Sequence, residues 1–138
     1  MEEPRLETRI RKPAEDVYIV DVKGQIDIAT TPAFKEILGE AADGSNGHVI
    51  VNMADVAYMD SSGFGTLLGA TKRLRPAGGA IHLVGCNEVI ERMLRITRLN
   101  TILSLHASED EALQAIRPAA GDANGATPPR ASVAVPAR

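Results

Sequence analysis

Residues 48–74, HVIVNMADVAYMDSSGFGTLLGATKRL, change their hydrophobic period part-way along, and that change decides the fold. His48 to Met53 is a short, nearly continuous apolar run, the pattern of a parallel strand buried on both faces. A seven-residue turn, 54–60, is expected next. Phe64, Leu67, Leu68, Thr71 and Leu74 then recur at helical spacing, and Pro76 with Gly78-Gly79 ends the helix. Strand, turn and helix of these lengths form one half of a right-handed βαβ unit.

The flanks repeat the unit. Leu6 to Arg11 and Asp16 to Val22 read as an antiparallel pair of opening strands that stops at Gly24. Thr30-Thr31-Pro32 reads as the cap and first residues of a helix carrying Phe34, Ile37, Leu38 and Ala41, with Gly44 as its stop. Downstream come a strand from Ala80 to Val84, a helix capped by Asn87 and carrying Val89, Ile90, Met93 and Leu94, and a strand from Thr101 to Leu105. A last helix opens on the capping box Ser108-Glu109-Asp110-Glu111 and ends near Arg117. The fold class expected is α/β, with a mainly parallel or mixed sheet of four to five strands and about four helices in one domain, residues 1–117. Residues 118–138 hold seven Ala, four Pro and two Gly with no sustained period, so a disordered tail is expected there.

Composition narrows the chemistry. The chain has 138 residues, 44% of them hydrophobic and 24% charged, and no apolar run long enough to span a bilayer, so a soluble protein without a membrane portion is expected. Met1 to Arg5 lacks the order of a secretory signal, and Cys86 alone cannot form an internal disulfide, which fits a reducing cytoplasm. A net charge of −3 and four aromatics without Trp offer little to nucleic acid. His48, His82 and His106 stand apart in or beside strand-like runs rather than at ligand spacing, so no metal is expected.

The pair Ser61-Ser62 sits where a strand hands over to a helix, the end of a parallel sheet at which binding loops gather. If the strand ending at Val22 lies parallel beside that of His48 to Met53, the loop GQIDIATTP leaves the same edge and Asp27 lies near Ser61. Nucleophilic catalysis would need a base and an oxyanion hole, yet the sequence is M-D-S-S-G rather than G-x-S-x-G. Nucleotide binding by Gly63-x-Gly65-x-x-x-Gly69 is a second possibility, although this spacing misses G-x-G-x-x-G by one residue and lacks the Gly-Lys-Ser/Thr of a P-loop. A third role is capping. Ser62, directly before Gly63 and Phe64, is the expected N-cap, with Ser61 one residue outside.

Taken together, VIVNMADVAYMDSSGFGTLLGATKRL, the preceding GQIDIATTP and the following GGAIHLVGCNEVIERMLRITRLNTIL closely resemble the STAS domain of bacterial anti-sigma-factor antagonists. The resemblance covers roughly Leu6 to Ile116, and D-S-S-G-x-G is its most specific element. It implies a non-enzymatic switch without a cofactor. The unphosphorylated antagonist binds an anti-sigma factor that is itself a GHKL-type serine kinase, which frees the sigma factor. Phosphorylation of the first serine, Ser61 here, turns binding off, and a PP2C-type phosphatase restores it. The partner-binding residues implied are Asp27, Asp60, Ser61, Ser62, Gly63 and Phe64. A nucleotide-binding STAS module, or a STAS scaffold in a stress or secretion switch, is the alternative.

Overall fold

The computed structural model describes residues 5–14, 17–45 and 47–116. The expected tail, 118–138, and the last helix's end near Arg117 lie outside them. Strands β1 (Leu6–Ala14), β2 (Val17–Ile26), β3 (His48–Met59), β4 (Ala80–Val84) and β5 (Ser104–His106) form one sheet in sequence order. The β1–β2 pair is antiparallel and the remaining pairs are parallel. The sheet is mixed and five-stranded, within the four to five strands expected from the sequence.

One register line shows how the sheet builds its core. Ile10 faces Val20, Val20 faces Val51, Val51 faces Leu83 and Leu83 faces Leu105. These side chains lie under α1 (Thr31–Gly44) and α2 (Ser61–Leu74), which contribute Phe34, Leu38, Leu67 and Leu74 to the same cluster. Each large aliphatic side chain buried in this way contributes about 1.5–3 kcal/mol. Side chains alternate across a strand, so Val17, Ile19, Ile50 and Val84 emerge on the opposite face. There α4 (Glu109–Ile116) covers them with Ala112, Leu113 and Ile116. Arg11 ties this face to the sheet edge by pairing with both Asp21 and Glu109.

The helix caps follow the sequence at two places and depart from it at two. Asn87 Oδ1 accepts the Ile90 N–H at 2.9 Å and so caps α3 (Glu88–Ile96). The Glu111 N–H donates to Ser108 Oγ at 3.2 Å, while the Glu111 carboxylate accepts the Ala107 N–H at 3.1 Å, closing a box at the start of α4. Thr30 occupies the cap position of α1 without capping it. Its hydroxyl instead donates to the Gln25 carbonyl and accepts the Asp27 N–H. Ser62 is not the cap of α2; Asp60 is, and the helix begins at Ser61. A carboxylate accepts the second N–H of the helix with a full negative charge, which outcompetes a serine hydroxyl at the positive helix end.

Two boundaries also move. The turn expected over 54–60 is strand up to Met59, because β2 runs on to Ile26 and gives Asp55, Val56, Tyr58 and Met59 partners at Lys23 to Ile26. Register slips after Asp21 and after Gly24 accommodate the extra length. The strand expected over Thr101 to Leu105 lies at Ser104–His106, since a 3-10 turn at Leu99–Thr101, entered through Arg98 at φ 64°, takes up the preceding residues.

Candidate functional site

The C-terminal ends of β2 and β3 stop side by side, with Ile26 paired to Met59 and the Asp60 N–H donating to the Ile26 carbonyl at 3.1 Å. The chain at Asp27 therefore lies next to the chain at Asp60 and Ser61, as the parallel pairing requires. Gly63 seats α2 against these strand ends. A Cβ at this position would come within 2.4 Å of Met59 Cγ and 2.7 Å of Ile26 Cγ2, so only glycine allows the approach. Gly65 points into open space and has no such duty.

Asp60 organises the turn. Its Oδ1 accepts the Ser62 N–H at 2.9 Å and the Ser62 hydroxyl, while its carbonyl accepts the N–H groups of Gly63 at 3.0 Å and Phe64 at 3.3 Å. The Ser62 hydroxyl, together with the backbone N–H groups of Ser62, Gly63 and Ile28, holds the carboxyl below its ordinary range and so keeps it ionised. Ser62 is thus a bonded, half-buried residue. Ser61 is exposed in the first turn, and its hydroxyl has no hydrogen-bond partner among the described residues.

The remaining predicted residues divide in the same manner. Asp27 Oδ1 accepts the N–H groups of Ala29 at 3.0 Å and Thr30 at 3.1 Å, and Oδ2 pairs with Arg5. Its side chain is 13% exposed and holds the β2–α1 loop in shape. Phe64 is 6% exposed and packs in the core, and Gly63 is buried, so neither presents a side chain to a partner. Apolar residues that the sequence reading left unassigned to the site stand exposed instead: Ile28 at 79% in the loop after β2, and Tyr58 at 51% near the end of β3. No local pattern marks them, since Ile28 lies between Asp27 and Ala29 and Tyr58 between Ala57 and Met59. On α3 the expected apolar side splits, with Ile90 and Leu94 buried but Val89, Met93 and Ile96 exposed along a second face. Asn87 Nδ2 donates to the Val56 carbonyl at 3.3 Å, which places the start of α3 at the same end of the sheet.

Several chemistries find little support in this geometry. Strand alternation puts His48, Ile50, His82 and Val84 on the face under α4, opposite α2, so no histidine reaches Ser61 or Ser62 as a base. Burial pushes the Cys86 thiol up to about 12, which leaves no reactive thiolate. At the start of α2, Asp60 already accepts the N–H groups of Ser62, Gly63 and Phe64, which leaves fewer donors for a phosphate cradle. No group of side chains among the described residues could hold a metal ion.

The STAS domain family matches residues 8–112, which includes the whole of this turn and the sheet beneath it. The chain belongs to the STAS domain family. This STAS domain is 34% identical over 92 residues to the anti-sigma-B factor antagonist of Staphylococcus epidermidis, an alignment covering 67% of this chain and 85% of that protein. Against the anti-sigma-B factor antagonist of Staphylococcus aureus strain NCTC 8325 / PS 47, identity is 30% over 89 residues, covering 64% and 82%. Among solved structures, it superposes on an anti-sigma factor antagonist from Mycobacterium paratuberculosis with a TM-score of 0.74 at 24% identity, covering 85% of this chain and 99% of that one. The anti-sigma factor antagonist SpoIIAA in its unphosphorylated form gives 0.70 at 19% identity, covering 81% and 97%. These two structures share the STAS fold seen here: one mixed sheet with helices on both faces.

Proposed function

We propose that this STAS domain is an anti-sigma-factor antagonist whose unphosphorylated form binds an anti-sigma factor, and that phosphorylation of Ser61 turns the binding off. The observation that carries the reading is the division of labour in the serine pair. Asp60 binds Ser62, whereas Ser61 stands exposed and unbonded one position before it. A kinase needs such a hydroxyl, and the fold does not. Two kinds of likeness support the partner class: the staphylococcal relatives carry the name anti-sigma-B factor antagonist, and SpoIIAA has been solved in a phosphorylated form whose fold gives a TM-score of 0.64 with this one at 19% identity.

Electrostatics supplies the switch. A phosphoserine adds about 1.5–2 negative charges at neutral pH. On Ser61 these charges would stand beside the ionised Asp60, in front of helix donors that Asp60 has already filled. With these donors filled, the phosphate faces solvent or the partner. Against a surface meant to be desolvated, that charge disfavours association. The partner in this scheme is a GHKL-type serine kinase, and a PP2C-type phosphatase reverses the step.

Incubation with the anti-sigma partner and Mg-ATP, followed by peptide mass mapping, tests the assignment. Phosphate is expected on Ser61 alone, with Ser61→Ala unmodified yet still bound by the partner and Ser61→Asp bound more weakly. Phosphate on Ser62 or Thr66, or a fully modified Ser61→Ala protein, would sink it.

A further inference from the structure

The chain's three histidines lie 34 and 24 residues apart in sequence, on β3, β4 and β5, and the sheet brings them into one row. Ile50 faces His82 and His82 faces Ser104 in the parallel register, so each histidine is offset by two residues from the next and the rings meet along a diagonal. His48 Nδ1 lies 3.1 Å from His82 Nε2, and His82 Nδ1 lies 3.1 Å from His106 Nε2. Ring centroids are 5.2 and 5.3 Å apart. The middle ring is 5% exposed.

Counting protons shows what this ladder can hold. Each of the two N···N contacts takes a single proton: with none, two lone pairs face each other, and with two, N–H faces N–H. Protonating both outer ring nitrogens as well gives four protons, one more than three neutral rings carry. The added charge can then reside on His82, donating to both neighbours, or on an end ring, His48 or His106, which donates to a neutral His82, and the burial of the middle ring favours the end rings. A fifth proton must break one of the contacts.

The surroundings determine which contact yields. Helix α4 lies across this face and carries Glu109, Asp110 and Glu111. Burial holds His106 below the ordinary histidine range, an effect that Glu111 partly offsets, Glu109 is paired with Arg11, and Asp110 is exposed. On the sheet itself Asp21 is held by Arg9, Arg11 and Asn52. Burial and the flanking histidines oppose a charge on His82. β5 is three residues long, sits at the sheet edge and is paired on one side.

We propose that His48, His82 and His106 form a latch that tolerates one added proton and fastens β5 and α4 to the sheet, and that a second added proton opens it and releases residues 104–116. The device is separate from the Ser61 switch, which lies at the start of α2 on the other side of the sheet.

Amide hydrogen exchange on the full chain at about pH 7.5 and pH 5, corrected for intrinsic rates, reads the latch directly. Residues 104–116 are expected to lose about tenfold or more of their protection at the lower pH while β2 and β3 keep theirs. In His106→Gln, whose amide can either donate to His82 or accept from it, the loss should shrink; His82→Val, lacking the middle ring, should show none of it. Histidine ring nitrogen shifts give a second reading, with His82 neutral and at most one imidazolium in the closed state. Equal protection at both pH values, equal loss in wild type and His106→Gln, or two imidazolium rings with residues 104–116 still protected would overturn the proposal.

Discussion

Within the turn at residues 60–63, three neighbouring side chains do different work, and substitution separates them. Asp60→Ala removes the acceptor of the Ser62 N–H and hydroxyl, and should lower the urea midpoint most. Ser62→Ala keeps the carboxylate on the backbone and loses only its own hydroxyl contact, at a cost of about 0.5–1.5 kcal/mol. Ser61→Ala breaks nothing and should stay within about 0.5 kcal/mol of wild type. A Ser61→Ala protein as unstable as Asp60→Ala would transfer the cap to Ser61. The glycines of the motif should differ in sign. Gly63→Ala drives a methyl group to 2.4 Å from Met59 Cγ and 2.7 Å from Ile26 Cγ2, and should cost about 1–3 kcal/mol by overpacking. Gly65→Ala meets nothing within 4 Å and should gain about 0.4–1 kcal/mol by restricting the unfolded chain within a helix. Urea unfolding of both variants checks the pair, and a destabilised Gly65→Ala would contradict the open geometry.

At the scale of elements, the contact between the parallel strands and α4 makes the fold acid-sensitive in two windows. Burial and the neighbouring histidines lower His82 to about 3, against about 6.5 in the unfolded chain. The unfolded state therefore binds more protons than the folded state between these values, and stability falls as pH drops through them. The expected slope is about 1.4 kcal/mol per pH unit for that one proton. A lower window belongs to Asp21, which Arg11, Asn52 and Arg9 hold at about 2. Its stabilising contribution is present above the ordinary carboxylate range and is lost as pH falls toward that value. Urea unfolding at a series of pH values resolves the two windows. His82→Val should flatten the upper one alone, and an unchanged upper slope in that variant would assign the protons elsewhere.

For the molecule as a whole, both faces of the sheet are covered and exposed apolar surface is left at its end. Exposed apolar residues gather on elements that meet at the end of the sheet bearing Ser61: Ile28 after β2, Tyr58 on β3, and Val89 on the α3 that Asn87 ties to Val56. An exposed residue with no packing role can be charged without unfolding the domain. Ile28→Asp and Val89→Asp should keep their unfolding midpoints within about 0.5 kcal/mol of wild type and weaken the anti-sigma partner by about tenfold or more. Calorimetric titration decides it, and unchanged affinity in both variants would move the interface elsewhere.

Much of this was legible in the residues because it depends on local period and local caps. The runs His48 to Met53 and Ala80 to Val84 marked strands, Asn87 and Ser108 with Glu111 marked helix starts, and D-S-S-G-x-G marked the turn. Pairing decided the rest. Residues 54–59 became strand because β2 extends to Ile26 beside them, a partner that no local pattern reveals. Asp60 took the cap from Ser62 because a charged acceptor at the helix end wins over a hydroxyl. The Cβ space at Gly63 and the exposure of Val89 depend on which surfaces approach and which do not. The three histidines look solitary in sequence, and only the parallel register, which sets residues far apart in the chain on adjacent strands, brings their rings to within 3.1 Å of one another.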